Sequence, residues 1–141
     1  MAELKRVSPA EAKKLLDGGY TYVDVRTAEE FDARHPTGSI NVPLNLEGPP
    51  SAVPEFVRVM RLLFPPEAKI VVGCATGMRS LRAGQWLAQA GFTDVLDQRA
   101  GMEGARNAFG GLTEKGWAAE GLPTSQGPDA GSFSEVAKSL A

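Results

Sequence analysis

The segment IVVGCATGMRSLRAGQWLAQAGFTDVLD, Ile70–Asp97, predicts the fold class of this protein. It opens with an uninterrupted apolar run, which is typical of a strand covered on both faces. From Met78 the apolar residues recur at helical spacing until Gly91, and a second strand-like run follows. A strand, a helix and a second strand in this order form a βαβ unit, whose two strands run parallel.

The rest of the chain repeats this alternation. Ser8-Pro9-Ala10-Glu11 carries a helix N-cap, a proline at the first helical position and a glutamate placed to close a capping box. Strand-like runs occupy Tyr20–Val25 and Ser39–Leu44, and a helical pattern over residues 53–63 ends before Pro65. We therefore expect an α/β protein with a parallel sheet that is flanked by helices on both faces.

Length and composition limit the classes of function. The 141 residues suit one domain, which we assign to residues 1–123, and residues 124–141 look like a linker-like tail with a short C-terminal helix. The net charge is −2 and no run of basic residues occurs, so we expect neither nucleic acid nor a membrane as a partner. The N-terminal residues lack the apolar core of a signal peptide, which predicts a cytoplasmic location. One cysteine and one histidine provide no metal-binding motif, and we expect no metal and no cofactor.

The single cysteine is the candidate nucleophile. Cys74 follows the apolar strand at the edge of the sheet where parallel α/β proteins bind ligands. Gly77 permits the positive φ of a tight loop, and Arg79 adds a permanent positive charge. Backbone amides at the start of the following helix can face an anion at the sulfur, which favours a thiolate over a buried hydrophobic spacer. The other loop residues expected to line this anion site are Ala75, Thr76, Met78 and Ser80.

The size of the loop favours sulfur as the atom that the thiolate attacks. Cysteine-dependent phosphatases place the arginine six positions after the cysteine, whereas Arg79 is five positions after Cys74. The shorter loop suits one extra sulfur atom, held on the cysteine as a persulfide. A thiolate enzyme that acts on arsenate or phosphate is the alternative within enzymes.

Four segments, in order along the chain, resemble the rhodanese sulfurtransferases. The loop CATGMRS resembles the Cys-x-x-Gly-x-Arg-Ser loop of single-domain rhodaneses, and the other three segments are VDVRTAEEF, RHPTGSINVPL and LAQAGFTDV. The resemblance implies a rhodanese-like domain with a five-stranded parallel sheet and no metal or organic cofactor. It also implies that Cys74 takes a sulfane sulfur from a small donor such as thiosulfate and passes it to cyanide or a cellular thiol. The alternative to an enzyme is a sulfur-carrier or regulatory binding module with little turnover, whose sulfur acceptor is a protein.

Other polar and aromatic residues have simpler interpretations. We expect Asp24 and Arg26 to support the site as an ion pair at a strand end, and His35 to cap or pack at the surface rather than act as a base. Arg79 is expected to attract the anionic donor. The long segment from Gly101 to Trp117 departs from the family pattern, and we expect it to cover the mouth of the site or to bind a partner.

Overall fold

A computed structural model describes residues 4–140 of the chain. The strands are β1 (Lys5–Val7), β2 (Thr21–Asp24), β3 (His35–Pro36), β4 (Ile40–Asn41), β5 (Ile70–Gly73), β6 (Val95–Gln98), β7 (Ala105–Arg106), β8 (Leu112–Glu114) and β9 (Thr124–Ser125). The helices are α1 (Pro9–Asp17), α2 (Ala28–Ala33), α3 (Ala52–Leu63), α4 (Met78–Gln89) and α5 (Phe133–Val136), and a 3₁₀ turn over Ala137–Leu140 follows α5.

Five parallel strands form the central sheet in the order β1-β6-β5-β2-β4. All four residues of β5, the middle strand, are buried. The predicted α/β fold with a five-stranded parallel sheet is confirmed. Because all five strands run in the same direction, their carboxyl ends meet at one edge, where Cys74 follows β5.

Both faces of the sheet are covered by apolar side chains. Val23 and Val72 lie in a buried cluster that includes side chains of α3 and α4. Their neighbours Tyr22 and Val71 belong to a second cluster, which includes side chains of α1 and the indole of Trp117. Successive strand residues point to opposite faces, so neighbouring apolar residues of β2 and β5 contribute to both cores.

Two strands of the central sheet, β1 and β4, differ most from the sequence-based prediction. β1 was not predicted, because only Val7 of its three residues is buried and it pairs with β6 alone. The predicted strand over Ser39–Leu44 is reduced to Ile40–Asn41, although the N–H groups of Val42 and Leu44 still donate to carbonyls of residues 24 and 25.

Residues 124–140 differ from the linker-like tail that the sequence indicates. β9 pairs antiparallel with β3, and the carbonyl of Gly131 accepts a hydrogen bond of 2.8 Å from the N–H of Asn41. The expected short helix is present as α5, and Phe133 and Leu140 pack against the larger core cluster. This segment is therefore in contact with the sheet and with the larger core cluster.

The surface packing expected for His35 was wrong, because the imidazole is completely buried, whereas the expected capping contact is present in the last turn of α2. Its Nδ1 lies 2.6 Å from the carbonyl oxygen of Phe31, and its Nε2 lies 2.7 Å from a carboxylate oxygen of Asp129. The ring also stacks on the Phe31 ring, with centroids 3.7 Å apart. His35 thus links α2 to the C-terminal segment, and it does not lie at the surface.

Within residues 4–140, no helix is both long and apolar enough to cross a bilayer. The same part of the chain contains no group of three or more side chains arranged to hold a metal ion. The cytoplasmic location stays a prediction.

Candidate active site

The cysteine loop connects the central strand to α4. β5 ends at Gly73, and α4 begins at Met78, where the sequence pattern changes to helical spacing. Gly77 caps the helix with a φ of +97°, the left-handed region that favours glycine. A side chain at Gly77 would collide with the backbone carbonyl of Arg99. Glycine is therefore required at position 77 for two reasons: its φ is positive, as predicted, and there is no space for a side chain.

The sulfur of Cys74 lies inside this loop with 1% of the residue exposed. The N–H of Gly77 donates to Sγ across 3.1 Å, and the Oγ of Ser80 lies 3.4 Å from Sγ. Of the predicted loop residues, Gly77 and Ser80 contact the sulfur, whereas the side chains of Thr76 and Met78 are exposed. One amide and one hydroxyl thus face an atom that carries negative charge as a thiolate.

The segment after β6 holds the loop from behind. The N–H of Met102 donates to the carbonyl of Cys74 at 2.9 Å, and the N–H of Glu103 donates to the carbonyl of Ala75 at 2.8 Å. Gly101 lies so close to these two carbonyls that a side chain there would collide with them. The beginning of the long 101–117 segment therefore packs against the cysteine loop and supports it.

Arg79 forms an ion pair that the sequence did not reveal. Its two terminal nitrogens donate to the two carboxylate oxygens of Glu30 at 2.8 and 3.1 Å. Glu30 is the third residue of α2, where it also closes a capping box with Thr27. Hydrogen bonds from Arg79 and from the backbone of Thr27 lower the pKa of Glu30 to about 2, although partial burial acts in the opposite direction. The Thr-x-x-Glu spacing signals the capping box but not the arginine partner.

Asp24 and Arg26 form a second ion pair at the end of β2. Arg26 donates from Nε and a terminal nitrogen to the Asp24 carboxylate, with a shortest distance of 2.8 Å, and its backbone N–H donates to the same carboxylate. The side-chain amide of Asn41 donates to the backbone carbonyls of both residues at 2.9 Å. This arrangement fixes the end of β2 against β4.

A second buried carboxylate lies behind the loop. Asp97 of β6 is fully buried and accepts a hydrogen bond of 2.7 Å from Nε of Arg6. Burial raises the pKa of Asp97, while Ser80 and Arg6 act to lower it. A terminal nitrogen of Arg6 also donates to the carbonyl of Gly77 at 3.1 Å. Sequence reasoning missed this support because Arg6 and Asp97 are 91 residues apart.

Two clefts open on either side of the cysteine loop. The first, the Arg79 cleft, has a volume of about 440 Å³ and is lined by Thr27, Arg79 and residues 43–47. The second, the hairpin cleft, has a volume of about 450 Å³ and is lined by residues 76–78, Arg6, Arg99 and parts of β7 and β8. Cys74 is buried and lines neither cleft.

Comparisons with known proteins agree on one family. The model of the rhodanese-like domain matches residues 8–108. The chain is 40% identical over 130 residues to thiosulfate sulfurtransferase 16, chloroplastic, from Arabidopsis thaliana, over 88% of this chain and 98% of that protein. It is 29% identical over 116 residues to thiosulfate sulfurtransferase GlpE from Pseudomonas fluorescens, over 82% of this chain and 97% of that one. The crystal structure of Rv0390 from M. tuberculosis matches with a TM-score of 0.69 and 25% identity, over 89% of this chain and all of that one.

Proposed function

The chain belongs to the rhodanese-like domain family, and from that premise we propose that it transfers a sulfane sulfur by way of a persulfide on Cys74. The observation that carries the proposal is the position of the sulfur, which receives the N–H of Gly77 at the positive-φ turn that opens α4. The names of two relatives, both thiosulfate sulfurtransferases, support the same reaction class. Cys74 is also the only cysteine of the chain, so no other thiol in it can carry the sulfur.

In the first step the thiolate of Cys74 attacks the outer sulfur of a donor such as thiosulfate. A bond forms between Sγ and that sulfur, while the bond from that sulfur to the sulfonate group breaks and its electron pair leaves with sulfite. Charge is conserved, and no proton and no external oxidant are required. The negative charge of the new persulfide is stabilised by the N–H of Gly77 and by the N-terminus of α4.

In the second step a nucleophile attacks the outer sulfur of the persulfide. Cyanide leaves as thiocyanate, or a cellular thiolate leaves as a new persulfide, and the electron pair of the broken bond returns to Sγ of Cys74. We assign no general base, because neither step moves a proton when the attacking group enters it as an anion. We assign Asp24 and Arg26 a supporting role, since both are buried and each is satisfied by the other.

Transfer to a protein thiol is a second candidate for the same chemistry. The observation that favours it is the exposed apolar surface beside the hairpin cleft, where Phe109 is 98% exposed and Leu112 and Met78 are more than half exposed. Exposed apolar patches commonly mark interaction sites. Phe109→Ser should then slow sulfur transfer to a protein acceptor and leave transfer to cyanide unchanged, which single-turnover kinetics with both acceptors would measure.

Steady-state kinetics with thiosulfate and cyanide test the proposed function. We expect thiocyanate formation with parallel double-reciprocal lines, the pattern of a ping-pong reaction, and no thiocyanate from Cys74→Ser. An aryl phosphate as an alternative substrate tests the related phosphate chemistry. Cys74-dependent hydrolysis of the aryl phosphate, without thiocyanate formation from thiosulfate, would overturn the proposal.

A further inference from the structure

The ion pair between Arg79 and Glu30 has a consequence for the choice of sulfur donor. The sequence predicts that Arg79 attracts an anionic donor. Its side chain lines the Arg79 cleft, on one side of the cysteine loop. Both terminal nitrogens of its guanidinium already donate to Glu30. When both terminal nitrogens of a guanidinium bind one carboxylate, a sulfonate group cannot bind the same pair of nitrogens in the same bidentate way.

Glu30 is fixed in place by its own helix. The backbone N–H of Thr27 donates to Oε1 of Glu30 at 3.1 Å, and the backbone N–H of Glu30 donates to Oγ1 of Thr27 at 3.1 Å. The carboxylate also lies in the first turn of α2, where the helix dipole favours a negative charge. A donor therefore competes with a carboxylate whose position is set by two groups, the guanidinium of Arg79 and the backbone N–H of Thr27.

The charges around the sulfur cancel in pairs. Arg26 is paired with Asp24, and Arg79 is paired with Glu30. Cys74 and Asp24 are both near enough to Arg79 for their negative charges to favour its protonated form. With both arginines neutralised, the thiolate leaves the site with a net negative charge, which repels a donor more strongly as the charge of the donor increases.

We propose that Glu30 determines donor specificity: it occupies the anion-binding fork of Arg79 and disfavours doubly charged sulfur donors relative to singly charged ones. This inference rests on the proposed function. Thiosulfate and methanethiosulfonate provide a matched pair of donors, because a methyl group in the second replaces one charged oxygen of the first. The reaction balances in the same way for both: the terminal sulfur of methanethiosulfonate bonds to Sγ, and methanesulfinate leaves with the electron pair.

The decisive variant is Glu30→Gln. Glutamine serves in a capping box and keeps an oxygen that accepts from Arg79, so the variant removes the charge with little change in shape. Glu29→Gln is the matched control, since Glu29 is exposed in the same helix and the structure shows no ion pair for it among residues 4–140. Both variants should first be shown to unfold with a cooperative transition like that of the wild type.

The measurement is kcat/KM for each donor, with cyanide as the acceptor. We expect Glu30→Gln to raise the ratio of thiosulfate to methanethiosulfonate efficiency about tenfold, mainly through a lower KM for thiosulfate, and Glu29→Gln to change it less than about twofold. Sulfate, as a competitive inhibitor with methanethiosulfonate as donor, should bind Glu30→Gln more tightly than the wild type.

Two results would overturn the inference and are distinguishable. If Glu30→Gln lowers both efficiencies by the same factor and sulfate inhibition is unchanged, Glu30 only positions Arg79 and does not select donors. If the wild type forms no persulfide with either donor, the proposed function itself is wrong and the inference fails with it.

Discussion

Two arginine–carboxylate pairs lie near the cysteine, and they differ in burial. The side chains of Asp24 and Arg26 are 1% and 7% exposed, whereas those of Glu30 and Arg79 are 35% and 25% exposed. The first pair joins residues two positions apart and is enclosed by further hydrogen bonds, while the second joins residues 49 positions apart at the surface. Similar chemistry therefore serves two purposes: a buried pair holds the strand end, and a partly exposed pair can exchange its carboxylate for a ligand.

The largest effect is expected from breaking the buried pair. Asp24→Asn leaves the Arg26 guanidinium buried without a counter-charge, which should lower the free energy of unfolding by about 3–5 kcal/mol. Denaturant unfolding followed by circular dichroism measures this loss. Glu55→Gln, which breaks an exposed pair with Arg58 on α3, is the control and should leave the midpoint nearly unchanged. Equal denaturation midpoints for Asp24→Asn and Glu55→Gln would show that a buried ion pair does not stabilise the fold more than an exposed one.

The partly exposed pair should affect activity more than stability. Arg79→Met removes the cation from the cleft beside the cysteine loop and should lower kcat/KM for thiosulfate by about 10–100-fold. The free energy of unfolding should fall by no more than the contribution of the ion pair with Glu30, about 1–2 kcal/mol. Steady-state kinetics and denaturant unfolding of the same preparation measure both quantities. An unchanged kcat/KM for thiosulfate would show that Arg79 does not take part in donor binding.

The smallest expected effect is the pH dependence of the Glu30 contribution to stability. Hydrogen bonds from Arg79 lower the pKa of Glu30 to about 2 in the folded protein, below the value of about 4.3 for an unfolded chain. A lowered pKa means that the contribution is complete above the unfolded value and is lost as the pH falls from there towards 2. After allowance for exposure to solvent, we expect about 1–2 kcal/mol.

Unfolding curves of wild type and Glu30→Gln between about pH 6 and pH 2 check this prediction. The difference between the two proteins should shrink as the pH falls. A difference that stays constant with pH would mean that the charge of Glu30 does not stabilise the fold.

The sequence predicted the parts of the molecule that local patterns control. The βαβ unit around Cys74 has a continuous apolar strand and a helical repeat, and Gly77 lies where a loop requires a positive φ. The missed parts depend on partners that are distant in the chain. β1 carries one buried residue and pairs with β6, and Glu30 gives a local signal only for its capping box. Asp129 reaches His35 from 94 residues away, which no local pattern reveals.

The most direct test of sulfur transfer is the intact mass of the protein after incubation with thiosulfate. We predict a gain of one sulfur atom in the wild type, its removal by cyanide, and no gain in Cys74→Ser. A wild-type mass that does not change with thiosulfate or with methanethiosulfonate would contradict the persulfide on Cys74.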